Sequence, residues 1–398
     1  MKEAPRHIRR RELGGPDPLD QRLGAPQPSP LTWLLSLLRT RSALGLAPSL
    51  TPAVIFLPLG VLLGPRALDW LSLRMLAHLD VVVTIALAVL GVLVGIALGR
   101  EFRTATRLFI AASLESLITI VMVTAASAYF IIETSVPVAL SGGVLGLALA
   151  LGLCASASSA TSADPDSEAA ASVATRVADL DDVVPIVLAM IVFALLPTTS
   201  PHPPWLLMIA PVVAGLAVGA IGWLLFERAD TGPERVVFVI GALAMAGGAA
   251  AYLRLSPLVV GLIAGLFWTV APGRADRIVE DDLKKVQHPL VVLLLVTAGA
   301  MWTPSSAGLF LLAPYLLVRL AGKVMGAWVS SRLVEVSAAD LAAFLMPPGV
   351  LAVAFALNFR QILPAPAGDT LLSAVAVGTA AFELFALAVV PHWRRESR

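Results

Sequence analysis

The chain has 398 residues, 58% hydrophobic and only 14% charged, with mean hydropathy +0.87 and net charge +1. A soluble domain carries about 25% charged residues, so this chain cannot cover its apolar surface in water and belongs in a lipid bilayer. The near-zero net charge gives no ground for a nucleic-acid partner. The lone cysteine, Cys154, excludes an internal disulfide, and five scattered histidines show no metal-ligand spacing, so no cofactor is expected.

Residues 1–30 are rich in Arg, Pro and Gly without an apolar period and read as a tail. "PLTWLLSLLRTRSALGL" (30–46) is too short and basic to span and reads as an interfacial helix. Twelve apolar segments follow, each a candidate span: 48–64, 78–99, 106–132, 136–160, 174–197, 204–226, 234–253, 256–271, 287–303, 308–331, 338–358 and 369–391. With the N-terminus inside, alternation puts 22 of the 28 Lys and Arg residues on the cytoplasmic side. Only Arg66, Arg74, Arg254 and Arg360 fall outside. The expected organisation is therefore a cytoplasmic basic tail with its interfacial helix (1–47), an all-α polytopic transmembrane domain (48–392) and a short cytoplasmic basic tail (393–398), in the cell membrane.

Few ionisable residues fall inside the spans: Glu115 in the third, Asp181 and Asp182 in the fifth, Arg319 and Lys323 in the tenth, and Glu383 in the twelfth. Asp179 lies at an edge. A charge at mid-bilayer costs roughly 2.5–3.5 kcal/mol on insertion scales and usually marks an ion path or relay. For Glu115, Arg319 and Glu383, a helix-to-helix clamp centred on Arg319 is an equal reading. Asp181 and Asp182 are adjacent and point about 100° apart on a helix, so one arginine fork does not satisfy both. Two carboxylates held close out of water resist joint ionisation, and their oxygens are hard ligands suited to Na⁺. One site can thus hold a proton or a cation, which suffices for exchange. Lys323 is one of four lysines and the only one within a span. It reads as a counter-ion that releases its aspartate when a cation arrives, or as a permanent bridge.

Two segments look broken. "LCASASSATSADP" (153–165), with Ser158, Ser159 and Thr161, has no bulky side chain after Leu153, and Pro347, Pro348 and Gly349 interrupt the eleventh span. Discontinuous helices in matching positions of two halves point to a transporter's binding site. The third to fifth spans and the tenth to twelfth repeat one pattern of charge and break after seven spans, which predicts an inverted repeat.

At this point the chain resembles the monovalent cation:proton antiporters, the bacterial Na⁺/H⁺ exchangers and their potassium-efflux relatives. The likeness rests on "LDDVVPIVLAM" (180–190), "LRLSPLVVGLIAGLFWT" (253–269), "VRLAGKVMGAWVSSRL" (318–333) and "FELFALAVVP" (382–391), in the family's order. It implies that Asp182 is the main proton- and Na⁺-binding carboxylate, with Asp181 its partner and Lys323 the family lysine. It implies electrogenic exchange, the property associated with an Asp-Asp pair, and a homodimer through residues 31–64. Li⁺ and K⁺ are the other candidate cations. The sequence departs from the family in lacking a clean Thr-Ser/Asp-Pro element at 153–165 and in carrying Pro-Pro-Gly in the eleventh span.

The competing transport reading is an ion-coupled symporter of a small organic solute on a related crossing-helix fold, which needs a larger cavity. An enzyme is not expected. An aspartyl intramembrane protease wants a Gly-x-Gly-Asp setting, and a serine type wants an intramembrane histidine; neither is present.

Overall fold

The computed structural model describes residues 52–104, 106–133, 143–158, 168–195, 203–229, 231–273, 275–334, 336–363 and 365–396. The expected N-terminal tail and interfacial helix, Ser159, Thr161 and the last two residues lie outside this set. Among the described residues the chain is helical throughout. The elements are α1 (Pro52–Leu63), α2 (Leu73–Thr104), α3 (Thr106–Glu133), α4 (Gly143–Ser156), α5 (Glu168–Asp181), α6 (Val183–Leu195), α7 (Pro204–Glu227), α8 (Gly232–Leu253), α9 (Pro257–Val270), α10 (Ala275–Met301), α11 (Ser306–Ser330), α12 (Ala338–Leu345), α13 (Val350–Ile362) and α14 (Ala365–Glu396).

Every one of the twelve expected segments is occupied by helix, but two are split. The fifth becomes α5 and α6, and the eleventh becomes α12 and α13, bent by 50°. Among the described residues, seven helices are long and apolar enough to cross a membrane, or eight if the bent pair counts as one span, with shorter apolar helices at α1, α4 and α9. The protein is a multi-pass membrane protein. Its outer wall agrees: Trp205, Ile209, Val213 and Leu216, three or four residues apart along α7, are all exposed. Such a stripe is unfavourable in water and suits an apolar surrounding such as lipid.

Local chemistry sets the boundaries. The side chains of Thr231, Ser305 and Ser337 accept hydrogen bonds from the backbone N–H three residues on, of Glu234 (3.4 Å), Gly308 (3.2 Å) and Asp340 (3.1 Å), and so start α8, α11 and α12. The ninth segment is longer than expected. The basic stretch around Arg277, Lys284 and Lys285, expected as loop, forms the first turns of α10. Val279, Leu283 and Gln287, spaced by four, bury one face there, while Arg277, Asp281, Lys284 and Lys285 stay exposed.

The helices sort into two bundles. One contains α1, α2 and α7–α10; the other contains α3–α6 and α11–α14. In the first, glycines replace side chains at the contacts. A Cβ on Gly91 or Gly95 of α2 would strike the carbonyls of Leu258 or Leu262 in α9, and one on Gly261 or Gly265 of α9 would strike those of Ala88 or Val92. The backbones therefore touch, as small-xxx-small faces allow. Gly60 of α1 and Gly64 just after it meet Val296 and Ala300 of α10 in the same way.

The seam between bundles is made of side chains. At one end Arg176 of α5 forks onto Glu101 of α2, with Nε 2.9 Å from Oε1. At the other, Gln361 of α13 donates to Asp80 (3.0 Å) and Thr84 (3.1 Å) of α2. The ends match the expected alternation. Arg100 pairs with Asp276 (3.3 Å) and Glu280, and Arg235 lies 3.7 Å from Asp282, all from the basic side. Arg66, Arg254 and Arg360 line two neighbouring cavities that share Asp80 and Gln361, the larger about 600 Å³.

Candidate functional site

The site lies inside the second bundle, where three helix interruptions meet. The first is the end of α4. After Ser156 the backbone leaves the helix at Ala157 and Ser158, and every side chain from Cys154 to Ser158 is small and buried. The carbonyls of Ser156 and Ala157 thus lose the amides that a further turn would bring.

The second is the stretch Met346–Gly349 between α12 and α13. Pro347 and Pro348 have no N–H, and the residue before a proline disfavours the helical region. Gly349, with φ −76° and ψ 168°, starts α13 in an extended conformation.

The third interruption was not expected. α5 ends at Asp181 and α6 starts at Val183, with Asp182 in the joint. The cause is in the sequence: Pro185 cannot donate to the carbonyl of Asp181. The helix resumes with Ile186 N donating to Asp182 O at 3.3 Å.

α11 brings the cations. Gly322 and Gly326 flank Lys323, and a Cβ on either would lie 3.0–3.1 Å from the Cα of Thr119 or Glu115 in α3. The Gly-Lys-x-x-Gly pattern is therefore a close-approach face that sets Lys323 against Glu115. Lys323 Nζ lies 3.0 Å from Glu115 Oε1 and 3.3 Å from Asp181 Oδ2, and it also donates to the carbonyl of Ser156. Thr119 Oγ1 adds a 3.3 Å bond to Glu115, and Ser158 Oγ donates to Asp181 Oδ2. Glu115, Asp181, Arg319 and Lys323 are 0% exposed and Asp182 is 1% exposed. Asp182 Oδ1 is buried without a hydrogen-bond partner, as are Asp181 Oδ1 and Glu115 Oε2.

One turn before Lys323, Arg319 holds the two broken segments together. Its Nη1 donates to Met346 O (2.6 Å) and its Nη2 to Ala157 O (3.0 Å), with the guanidinium over the Phe382 ring at 4.6 Å. Cations at two helix C-termini complement the partial negative charge there.

The expected site residues are thus largely assembled, with two corrections. Arg319 clamps neither Glu115 nor Glu383 and faces carbonyls rather than carboxylates: the unwound backbone it meets has unpaired acceptors, whereas Glu115 sits beside Lys323. Glu383 stands apart from the cluster, where its Oε2 accepts the N–H of Val54 (3.1 Å) at the start of α1. Ser158, Pro347, Pro348 and Gly349 border the crossing as expected. Sequence reasoning missed the Glu115–Lys323 pair and the break at Asp182. The four-residue spacing of Gly322 and Gly326 and the proline at 185 were the signals for them.

No protein-family model and no curated protein matches the sequence. Solved structures do match by shape. The sodium proton antiporter MjNhaP1 from Methanocaldococcus jannaschii at pH 8 aligns with TM-score 0.59 and 16% identity, over 85% of this chain and 90% of that one. An electron-microscopy map of the same antiporter aligns with TM-score 0.52 at 16% identity, over 85% and 89%. This chain has the fold of a sodium/proton antiporter. At 16% identity the likeness concerns the fold, and the chemistry rests on the residues above.

Proposed function

We propose that the protein is a secondary antiporter, not an enzyme. It exchanges protons for a monovalent cation, Na⁺ foremost, by alternating access, and the Asp181–Asp182 pair is the shared site. The observation that carries this reading is the environment of Asp182. Its carboxylate is buried in a helix joint with an oxygen left unpartnered, while its neighbour Asp181 is engaged by Lys323 and Ser158. A hard cation can take that oxygen, or a proton can. Discontinuous helices in a membrane fold are where transporters place such sites. We assign both termini to the cytoplasm on the distribution of Lys and Arg. The proposed domain limits are 1–47, 48–392 and 393–398, with a homodimer formed through residues 31–64.

The test is reconstitution in liposomes carrying a pH dye, with Na⁺, Li⁺ or K⁺ added against an imposed pH gradient. Wild type moves protons when the transported cation is added. Asp182→Asn folds, as judged by its elution and melting, but moves none. Cation-driven proton movement in Asp182→Asn at the wild-type rate refutes the assignment.

A further inference from the structure

Away from the ion site, a groove of about 290 Å³ runs beside the end of α10. Its walls include Leu57 and Val61 of α1, Gly299 of α10 with Trp302 just after it, and Ala376 and Ala380 of α14. Leu57 and Val61 stand one turn apart on one face of α1, and Ala376 and Ala380 do the same on α14. The methyl side chains of α14 leave the space that larger residues would fill. Apart from the Trp302 indole, no lining side chain carries a polar atom. α1 and α10 belong to the first bundle and α14 to the second, so the groove lies along the seam. Pro58, also in its lining, is exposed, so the groove opens outward. In a multi-pass fold the surroundings of such an apolar opening are lipid chains.

Polar groups gather at the Trp302 end. The indole nitrogen of Trp302 is buried and has no hydrogen-bond partner among the described residues, although a buried tryptophan N–H usually finds one. The carbonyl of the same residue accepts from Arg66 Nη1 at 2.6 Å. Arg66 is exposed, and among the described residues no carboxylate lies within ion-pair distance of it. Arg360 reaches the same turn, its Nη1 3.4 Å from Met301 Sδ, while Asp369 holds its Nε at 2.8 Å. Both arginines line the adjoining cavity of about 600 Å³, whose one acidic lining residue, Asp80, is engaged by Gln361. One turn past the other end of the groove, Glu383 is occupied by the Val54 N–H. An apolar groove, an unsatisfied donor and a guanidinium thus follow one another. A phospholipid presents the matching order of acyl chain, ester carbonyl and phosphate. Tryptophan favours the headgroup level of a bilayer, and the arginine fork suits phosphate.

We propose that this groove is a phospholipid site. One acyl chain lies between α1, α10 and α14, an ester carbonyl accepts the Trp302 indole N–H, and Arg66 pairs with the phosphate. The bound lipid touches both bundles and forms part of the seam between them. The site shares no residue with the ion site, so it does not depend on the antiport reading.

Photolabelling of the full chain in liposomes tests it. Two probes are compared at trace level: phosphatidylglycerol with a diazirine in one acyl chain, and the diacylglycerol with the same chains and no phosphate. Peptide mass spectrometry reads the adducts. The exposed faces of α7 (Ile209, Val213) and α8 (Val237, Ile240) report ordinary boundary lipid. At the groove, phosphatidylglycerol labels severalfold more than diacylglycerol, whereas on α7 and α8 the two label alike. Arg66→Gln brings the groove ratio down to that of α7 and α8, and Arg66→Lys, which keeps the charge, retains most of it. Ala380→Phe fills the groove and removes its labelling by both probes while α7 and α8 label as before. Equal labelling of the wild-type groove by the two probes overturns the proposal in favour of ordinary boundary lipid. Absence of groove adducts, as when residues 31–47 or a second copy cover it, overturns it too. If a variant does not fold, the ratio in wild type still decides. The labelling needs no ion gradient, so a failure of the antiport reading leaves its outcome unchanged.

Discussion

Gly326→Ala puts a methyl group where the backbone of α3 lies. The new Cβ would stand 3.0 Å from the Cα, Cγ and O atoms of Glu115. Carbon atoms settle at about 3.5–4.0 Å, so α3 must retreat by roughly 0.5–1 Å. The 3.0 Å Lys323–Glu115 contact then stretches to the limit of a hydrogen bond. Overpacking of this kind costs about 1–3 kcal/mol. Alanine's better helix preference returns about 0.5–1 kcal/mol, so the net loss lies within about 0–2.5 kcal/mol, near 1 kcal/mol at the middle of both ranges. Gly322→Ala presses on Thr119 one turn away. Because one retreat of α3 relieves both clashes, the double variant loses less than the sum of the singles. At Gly241 and Gly248 of α8 an added methyl would meet nothing within 4 Å, so both serve as controls, expected to be neutral or slightly stabilised on substitution by alanine. The chain supplies its own probe. Cys154 is the sole thiol and is buried, so a thiol-reactive dye reports its exposure on heating. If Gly326→Ala melts at or above Gly241→Ala, the α3–α11 backbone contact and the positioning of Lys323 argued from it are wrong.

Arg319→Lys replaces a fork that reaches Met346 O and Ala157 O with a point charge that reaches one of them. A buried hydrogen bond to a charged group is worth about 1.5–3 kcal/mol, so stability falls by that amount and exchange slows by roughly tenfold or more, equivalent to at least ~1.4 kcal/mol; wild-type melting and flux together would rule the tie out. Glu383→Leu removes the acceptor for Val54 N–H and costs about 1 kcal/mol, as a lost cap does. Hydrogen–deuterium exchange should then quicken in the first turn of α1 while Glu383→Gln stays close to wild type, and unchanged exchange in Glu383→Leu would show that the bond does not hold that turn.

The helices were legible because lipid demands long apolar runs, and each of the twelve segments contains helix. Their limits were less so. Basic residues near position 280 look like loop because hydropathy alone cannot tell a loop from an amphipathic helix end. The Asp pair and Lys323 stand out as charges in apolar runs. Their partners do not, since Glu115 and Lys323 are 208 residues apart in sequence and meet only because α11 lies on α3 through Gly322 and Gly326. Arg319 suggests a carboxylate clamp for a related reason. Its true acceptors are backbone carbonyls, which no side-chain pattern announces.

The glycine contacts also determine what can move. Where α2 lies on α9, each glycine seats a carbonyl of the other helix, like cogs in a rack. Sliding by a fraction of a turn would drive ridges into one another, and the next matching seat is one helical step of about 6 Å away, four residues at 1.5 Å each. The same meshing joins α1 to α10, and α11 sets Gly322 and Gly326 against Thr119 and Glu115 of α3. Each bundle is therefore geared against internal slip. The play in the mechanism is left to the seam, where long side chains such as Arg176 and Gln361 can exchange partners while the two geared blocks keep their shape.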